Sequence, residues 1–416
     1  MKLSDLLDFN PRTPISKGTV APFVDMASLP IGERYFPIPA KKEFKGSGSK
    51  FKDGDTLLAR ITPCLENGKG GFVKGLGEDV AAHGSTEFIV LRAKKPTDEH
   101  FVFYVSKHPD FRDYAIQQMS GTSGRQRVAW QSLADYEIHV LSEDEREEIG
   151  KTLSALDDKI ALNRRMNETL EGLARALFKD WFVDFGPTRA KASGTKPYLP
   201  PEIWPLFPDR LDDKGMPDGW EEKPLDEIAE FLNGLALQKY PAGKDDDYLP
   251  VIKIAELRNG ISAKTNRASR DVPEKYVVRD GDFIFSWSGS LLAKFWTGGE
   301  GALNQHLFKV TSKGYPAWFY SQWVLHHLVE FQGIAKAKAT TMGHIQRGHL
   351  KAAKTICPPS DVLEVLGGMI EPLVTRAIKN ELESRTLAQT RDLLLPKLMS
   401  GALRVGAAEK IVAGVL

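Results

Sequence analysis

The strongest constraint on this chain is one long amphipathic stretch, SEDEREEIGKTLSALDDKIALNRRMNETLEGLARALFKDWFVDFG, from Ser142 to Gly186. Ile149, Leu153, Leu156, Ile160, Leu170 and Leu177 recur on one helical stripe with a heptad period, and Asn163 and Asn167 interrupt it. Ser142 and Glu145 have the spacing of a capping box. Asp144, Glu145, Glu147 and Glu148 suit the positive end of a helix dipole, and Gly186-Pro187 is expected to stop the helix. A helix from Ser142 to about Lys179 is ~55 Å long at ~1.5 Å per residue. That exceeds an ordinary globular helix, so it needs a partner along its length.

The chain carries such a partner. Near its end stands LGGMIEPLVTRAIKNELESRTLAQTRDLLLPKLMSG, and a displacement of 217 positions lays Gly150 on Gly367, Leu156 on Leu373, Asn163 on Asn380, Leu170 on Leu387 and Leu177 on Leu394. A polar residue at one stripe position fixes the register of a helix pair at some cost in stability. The expected register residues are therefore Asn163 and Asn380, with Leu156, Leu373, Leu170 and Leu387 around them. Glu371-Pro372 falls opposite Ala155. Proline suits a first helical turn and disrupts an interior, so the second long helix is expected to start near Pro372, after a shorter helical piece.

The likeness extends beyond the helices. LPVIKIAELRNG (Leu249 to Gly260) repeats APFVDMASLPIG (Ala21 to Gly32) at an offset of 228. RDGDFIFSWSG repeats KDGDTLLARIT at an offset of 227, HLFKV repeats TEFIV with Phe308 on Phe88, and Leu350 returns to Leu133 at 217. The first pair reads as strand, turn and glycine stop; in the second the acidic-glycine turns Asp53-Gly54-Asp55 and Asp280-Gly281-Asp282 launch an apolar strand, and STEFIVLRA is a strand. Residues 187–218, rich in proline and without periodicity, read as an extended connector. The order is 1–141, a strand-rich domain; 142–186, a long helix; 187–218, a linker; 219–358, a second such domain; 359–404, a C-terminal helical region; and 405–416, a tail. A chain of 416 residues accommodates two or three cores. Duplicated scaffolds with divergent loops indicate one structural task done twice with different detail.

Bulk charge selects no partner, since 56 lysines and arginines meet 55 acids; a nucleic-acid face must come from local clustering. Two loops supply it. SGTSGRQRVAW holds Arg125, Gln126 and Arg127, and GIAKAKATTMGHIQRGHLKAAK holds Lys336, Lys338, His344, Gln346, Arg347 and His349; neither contains an acid. Both stand just before the strand that feeds a long helix. RNGISAKTNRASR adds Lys264 and Arg267. Phosphate contact by lysine and arginine, with arginine and glutamine reaching base edges, is the physical reading, against the alternative of ordinary solvated loops. Trp130, Trp287 and Trp296 are expected in cores rather than as stacking platforms.

The residues supply no catalytic constellation. A GxxxxGK(S/T) loop, a GxGxxG fingerprint in strand–turn–helix context, HExxH, GxSxG and CxxC are all absent from the sequence. Cys64 and Cys357 lack the spacing of a zinc site and read as small apolar side chains in a reducing compartment. No run of eighteen apolar residues occurs, and MKLSDLLDFN does not have the form of a signal peptide, so a cytoplasmic location without a membrane span is expected.

LSALDDKIALNRRMNETLEGLARALFKDWF resembles the central helical region of type I restriction-modification specificity subunits, and IKNELESRTLAQTRDLLLPKLMSG their C-terminal helical region. MPDGWEEKPLDEIAEFLNG is similar to the opening of their second target-recognition domain. The resemblance spans essentially the whole chain. It implies an α+β architecture: two similar mixed α/β target-recognition domains held apart by two long helices paired as an antiparallel coiled coil. It implies that each domain reads one half of a split double-stranded DNA target, and that the chain docks two adenine-N6 methyltransferase subunits and two translocase-nuclease subunits. S-adenosylmethionine, ATP and Mg would be used by those partners, with no cofactor, metal or active site on this chain. The (N/D)PP(Y/F/W) methyltransferase signature is absent, CPPS at Cys357 not being one. The alternatives are a coiled-coil scaffold that binds only proteins, or a self-contained DNA-modifying enzyme.

Overall fold

The computed structural model describes the chain except residues 39, 244–246, 338–342 and 416. It divides into unit 1, residues 1–163 with 383–416, and unit 2, residues 164–382. Unit 1 begins with α1 (Leu3–Leu6) and continues through β1 (Leu7–Phe9), β2 (Val20–Val24), β3 (Ala40–Glu43), β4 (Ser49–Phe51), β5 (Thr56–Ala59), β6 (Gly70–Phe72), β7 (Ala82–Gly84) and β8 (Phe88–Ala93). Helices α2 (Glu99–Lys107), α3 (Pro109–Gln117) and α4 (Trp130–Ala134) lead into the first long helix, α5 (Glu143–Phe178). The expected helix over 100–119 is thus two, because Pro109 cannot donate to the turn before it and instead opens α3.

Unit 2 contains α6 (Gly186–Ala192), β9 (Glu221–Pro224), α7 (Leu225–Ile228), β10 (Glu230–Asn233), β11 (Tyr248–Ile252), α8 (Ile254–Asn259), β12 (Arg267–Ser269), β13 (Val277–Val278), β14 (Phe283–Ser286), β15 (Ala293–Phe295), β16 (Gly301–Leu303), β17 (Leu307–Thr311), α9 (Ala317–Ala337), α10 (Arg347–Ala352) and β18 (Lys354–Cys357). The second long helix, α11 (Ser360–Met399), and then α12 (Val405–Ala413) follow. The unit division falls within both α5 and α11, so each unit joins one strand-rich segment to parts of two helices distant in sequence.

The duplication holds down to strand register. Unit 1 has one sheet in the order β1-β8-β5-β6 and one in the order β3-β2-β7-β4; unit 2 has β10-β17-β14-β15 and β12-β11-β16-β13. In unit 1, Thr56 faces Leu91 and Phe23 runs parallel beside His83. In unit 2, Phe283 faces Val310 and Val251 runs beside Ala302. This register corrects one sequence match. Ala59 pairs with Phe88 and Ser286 with Leu307, so the equivalent of Phe88 is Leu307, not Phe308. Both strands are buried on both faces at this point, which removes the alternation that would reveal a slip of one residue.

The capping box at the start of α5 is complete: the Ser142 amide and hydroxyl each donate to Glu145 Oε2 at 2.8 Å, and the Glu145 amide donates to Ser142 Oγ at 3.2 Å. In unit 1, Arg391 donates to Asp157, Lys159 lies 3.4 Å from Glu383, and Asn163 donates to Glu383 at 2.8 Å and Ser384 at 3.3 Å. Asp157 meets Arg391, whereas Asn163, further along α5, meets Glu383 and Ser384, so the helices are antiparallel. In unit 2, Asn380 donates to Asn167 Oδ1 at 2.8 Å, and Asn167 donates to the Ala377 carbonyl at 3.0 Å. Asn163 and Asn380 are both buried, and each bonds across the helix pair, Asn163 to Glu383 and Ser384 and Asn380 to Asn167. Leu156 and Leu387 are buried in the core of unit 1, whereas Leu170 and Leu373 are half-buried.

Two expectations are overturned. The helix α11 does not begin near Pro372; it runs unbroken from Ser360 through Pro372. The proline is exposed, and Leu363, Leu366, Ile370 and Ala377 are buried around it. Their burial, at ~1.5–3 kcal/mol for a large apolar side chain, exceeds the ~3 kcal/mol cost of an interior proline. Nor is 187–218 an extended linker. Phe185 adopts the left-handed conformation (φ 56°), after which Gly186 and Pro187 open α6. A Cβ on Gly186 would lie 2.0 Å from Asp180 Oδ1, so any larger residue there would have to displace the Asp180 side chain. Ile203 and Phe207 are buried with Trp181, Phe182 and Trp220 in the aromatic core of unit 2.

The repeat also fixes how each long helix seats on its own unit. Gly150 lies against α2, where an added Cβ would stand 2.9 Å from His100 Cβ and 3.0 Å from the Phe101 nitrogen. Gly367 lies against α9, with Trp318 Nε1 at 2.9 Å. Phe101 and Trp318 differ by the same 217 positions as the two glycines.

Candidate nucleic-acid interface

One edge of each unit is built from three chain segments that bond in the same way. In unit 1 the Arg60 amide donates to the Glu87 carbonyl at 3.0 Å, the Val128 amide to the Arg60 carbonyl at 3.0 Å, and the Thr62 amide to the Gln126 carbonyl at 3.0 Å. In unit 2 the Trp287 amide donates to the His306 carbonyl at 3.3 Å, the Ile345 amide to the Trp287 carbonyl at 3.0 Å, and the Gly289 amide to the Gly343 carbonyl at 2.8 Å. Bridges Ile61–Arg127 and Ser288–His344 complete the match. Val128 and Ile345 anchor the two loops in their cores. The ledge therefore has one backbone and two sets of side chains: Arg60, Glu87 and Arg127 in unit 1; Trp287, His306 and His344 in unit 2.

In unit 1 Arg125 is exposed and Gln126 half-buried. Arg127 is held side-on by Glu87: Nε lies 3.0 Å from both carboxylate oxygens, Nη2 lies 2.7 Å from Oε1, and Nη1 donates to the Arg125 carbonyl at 3.2 Å. Beside the ledge lies an open cleft of about 380 Å³ lined by Asn10, Arg12, Lys50, Arg60 and Thr86 among others, with three cations and no acid in its lining. Arg12, Lys50, Arg60 and Glu87 were not singled out from the sequence. They come from separate segments, and only the sheet pairing collects them.

In unit 2 Trp287 is half-buried and donates from Nε1 to Asn233 Oδ1 at 2.8 Å, with the rings of His306 and His344 at 5.7 and 6.2 Å. Gln346 and Arg347 are exposed, and Arg347 donates to the Phe231 carbonyl at 3.3 Å. His349 accepts from the Gln346 amide at 2.8 Å and so caps α10. Lys336 is exposed at the end of α9, and Lys338 lies outside the described residues. Lys264 is exposed; Arg267, on β12, lies with its guanidinium 4.2 Å over the Tyr248 ring. Trp296 is a core residue, and Trp130 stacks on Phe9 at 5.7 Å.

A second polar cluster in unit 1 is buried instead. Arg34, 2 % exposed, lies over the ring of Phe72 and donates to His100 Nδ1. Burial and the adjacent guanidinium push the His100 ring down to about 4. Lys107 donates to the carbonyls of Gly68 and Gly70 at 3.2 and 2.9 Å, and burial lowers it to about 8. Tyr104 donates to Asp157 at 2.6 Å, and Asp157 also accepts from Arg391. These groups tie α2 to α5 and α11 within the unit. Among the described residues, no group of three histidine, cysteine or acidic side chains is placed to hold a metal ion, and no helix is long and apolar enough to cross a membrane.

The chain is similar to known proteins over most of its length. It is 27% identical over 319 residues to the type I restriction enzyme MjaIX specificity subunit of Methanocaldococcus jannaschii, covering 73% of this chain and 69% of that one. It is 23% identical over 414 residues to the type I restriction enzyme HindI specificity subunit of Haemophilus influenzae, covering 87% and 89%. The fold is similar to the crystal structure of a type I restriction-modification system S subunit from M. genitalium, with a TM-score of 0.52 at 14% identity over 96% of this chain and 95% of that one. Residues 12–172 and 217–384 match the type I restriction modification DNA specificity domain. The chain belongs to that family, and is a non-catalytic specificity subunit of the type I restriction-modification class.

Proposed function

We propose that this subunit reads a split double-stranded DNA target, one half-site per unit with an unread spacer between, and docks two copies of an adenine-N6 methyltransferase subunit, joined in the restricting complex by two translocase-nuclease subunits. The observation that carries the reading is the duplicated ledge: one hydrogen-bond framework presents different side chains in each unit. A single scaffold with exchanged side chains suits the recognition of two different short sequences. Arg125, Arg347, Lys336 and Lys264 supply exposed charge for phosphates around the ledges. S-adenosylmethionine, ATP and Mg belong on this reading to the partner subunits, and the assembly works in the cytoplasm.

The test is co-expression with the neighbouring methyltransferase subunit in a host lacking adenine methylation, followed by genome-wide mapping of modified adenines. One split motif with a fixed gap is the expected result. Exchanging residues 219–358 for those of a relative should change one half of the motif and leave the other. A motif in which both halves change together would refute one-unit, one-half reading. A complex that co-purifies and shows no DNA affinity at low salt, where phosphate contacts are strongest, would favour a purely protein-binding scaffold.

A further inference from the structure

We infer that Arg127 and Glu87 form a braced guanine reader in unit 1, and that the half-site read by this unit contains a guanine at the position Arg127 faces. The inference rests on the DNA-reading function proposed above and assigns its chemistry to two residues.

Glu87 occupies the Nε edge of the Arg127 guanidinium through Nε and Nη2, and the Arg125 carbonyl takes one N–H of Nη1. An N–H therefore remains on each terminal nitrogen. A guanidinium presents such donors to guanine O6 and N7 in the major groove, the commonest specific arginine–base contact. Glu87 does more than neutralise a charge. It holds a long side chain in one orientation before DNA arrives, so less rotamer freedom is lost on binding. An arginine serving only as a phosphate contact gains nothing from a carboxylate beside the anion it must meet. The pair stays accessible, with 40% of the Arg127 side chain and 24% of that of Glu87 exposed. It sits at the ledge, one residue along from Arg60, which lines the cationic cleft. The Arg127 backbone is locked to Ser120 by reciprocal bonds of 3.0 and 2.9 Å, so the brace stands on a fixed base.

The second unit supplies the contrast. The equivalents of Glu87 and Arg127 are His306 and His344, and the ledge there is aromatic around Trp287. The same backbone thus carries an arginine–glutamate pair in one unit and two histidines in the other, which predicts half-sites of different composition.

The test uses the complete chain with its methyltransferase subunit and the mapping assay above, with Arg127→Ala, Arg127→Lys, Glu87→Gln and the double variant Arg127→Ala/Glu87→Gln. The domain exchange assigns which half belongs to unit 1. Arg127→Ala should relax one guanine of that half, with a roughly 5- to 150-fold loss of discrimination, the range for one bidentate base contact. Arg127→Lys, which keeps the charge and the backbone, should relax the same position. Glu87→Gln should relax that position less, and the double variant should match Arg127→Ala alone, as expected when the carboxylate acts only through the arginine. The inference is overturned if the motif is unchanged in the arginine variants, if the relaxed base is not guanine, or if Glu87→Gln alters a different position. Wild-type protein yielding no split motif would overturn the underlying reading itself, an outcome separate from a split motif indifferent to Arg127.

Discussion

Adjacent glycines in α11 should respond to alanine with opposite signs. Gly368 is exposed, and a Cβ there meets nothing within 4 Å. Gly367 is buried, and its Cβ would stand 2.9 Å from Trp318 Nε1, on a ring that is only 2 % exposed and cannot give way. Gly→Ala in a helix interior is worth ~1 kcal/mol of propensity. At Gly368 that gain is unopposed. At Gly367 it is set against overpacking of a filled core, ~1–3 kcal/mol, for a net loss of ~1 kcal/mol. The two variants should therefore differ by ~2 kcal/mol, or roughly 4–8 °C in melting temperature for a cooperative unit of this size. The assay is thermal unfolding of the full chain monitored by circular dichroism, with chemical denaturation as a second measure. The same contrast recurs on α5, since a Cβ on Gly150 in unit 1 would meet His100 and Phe101, while one on Gly172, in the unit 2 part of the helix, meets nothing within 4 Å. A Gly367→Ala protein that melts as high as Gly368→Ala would refute the argument that this glycine exists to let the helix approach α9.

Two further outcomes follow from the buried groups of unit 1. Arg391→Met leaves Asp157 buried without its cation and should cost ~3–5 kcal/mol, whereas Asp157→Leu/Arg391→Met should recover much of the loss; equal losses in urea titration would mean that the pair is not coupled. The His100 ring titrates near 4 when folded, against 6.5 for an ordinary histidine. The unfolded chain takes up the proton first, so stability is full above about 6.5 and is lost as pH falls toward 4. Full withdrawal from water would make this ~3 kcal/mol; the ring is half-buried, and screening reduces it to ~2 kcal/mol. His100→Gln should flatten the acid limb by that amount, and an unchanged limb in denaturation from pH 7 to 4 would refute the assignment.

The sequence by itself determined the duplication, the helix α5 with its capping box, and the pairing of two asparagine-interrupted stripes. These depend on local periodicity and on spacings that survive in the chain as written. It also placed Arg125, Gln126 and Arg127 in the loop before α4, because a loop before a helix start is legible from breakers and charge; Arg347 instead opens α10, with Gln346 as its N-cap. The tertiary structure decided what spacing cannot carry. The register of β8 against its repeat needed the hydrogen-bond ladder, since strands buried on both faces show no alternation. The continuity of α11 through Pro372 needed the packing around it, which outweighs local propensity. The burial of Ile203 and Phe207 needed an aromatic core assembled from distant segments. The pairing of Glu87 with Arg127, and the gathering of Arg12, Lys50 and Arg60 into one cleft, needed strands joined across long separations. A sequence records which side chains exist; only the folded backbone brings an acid from one strand end to an arginine 40 residues away.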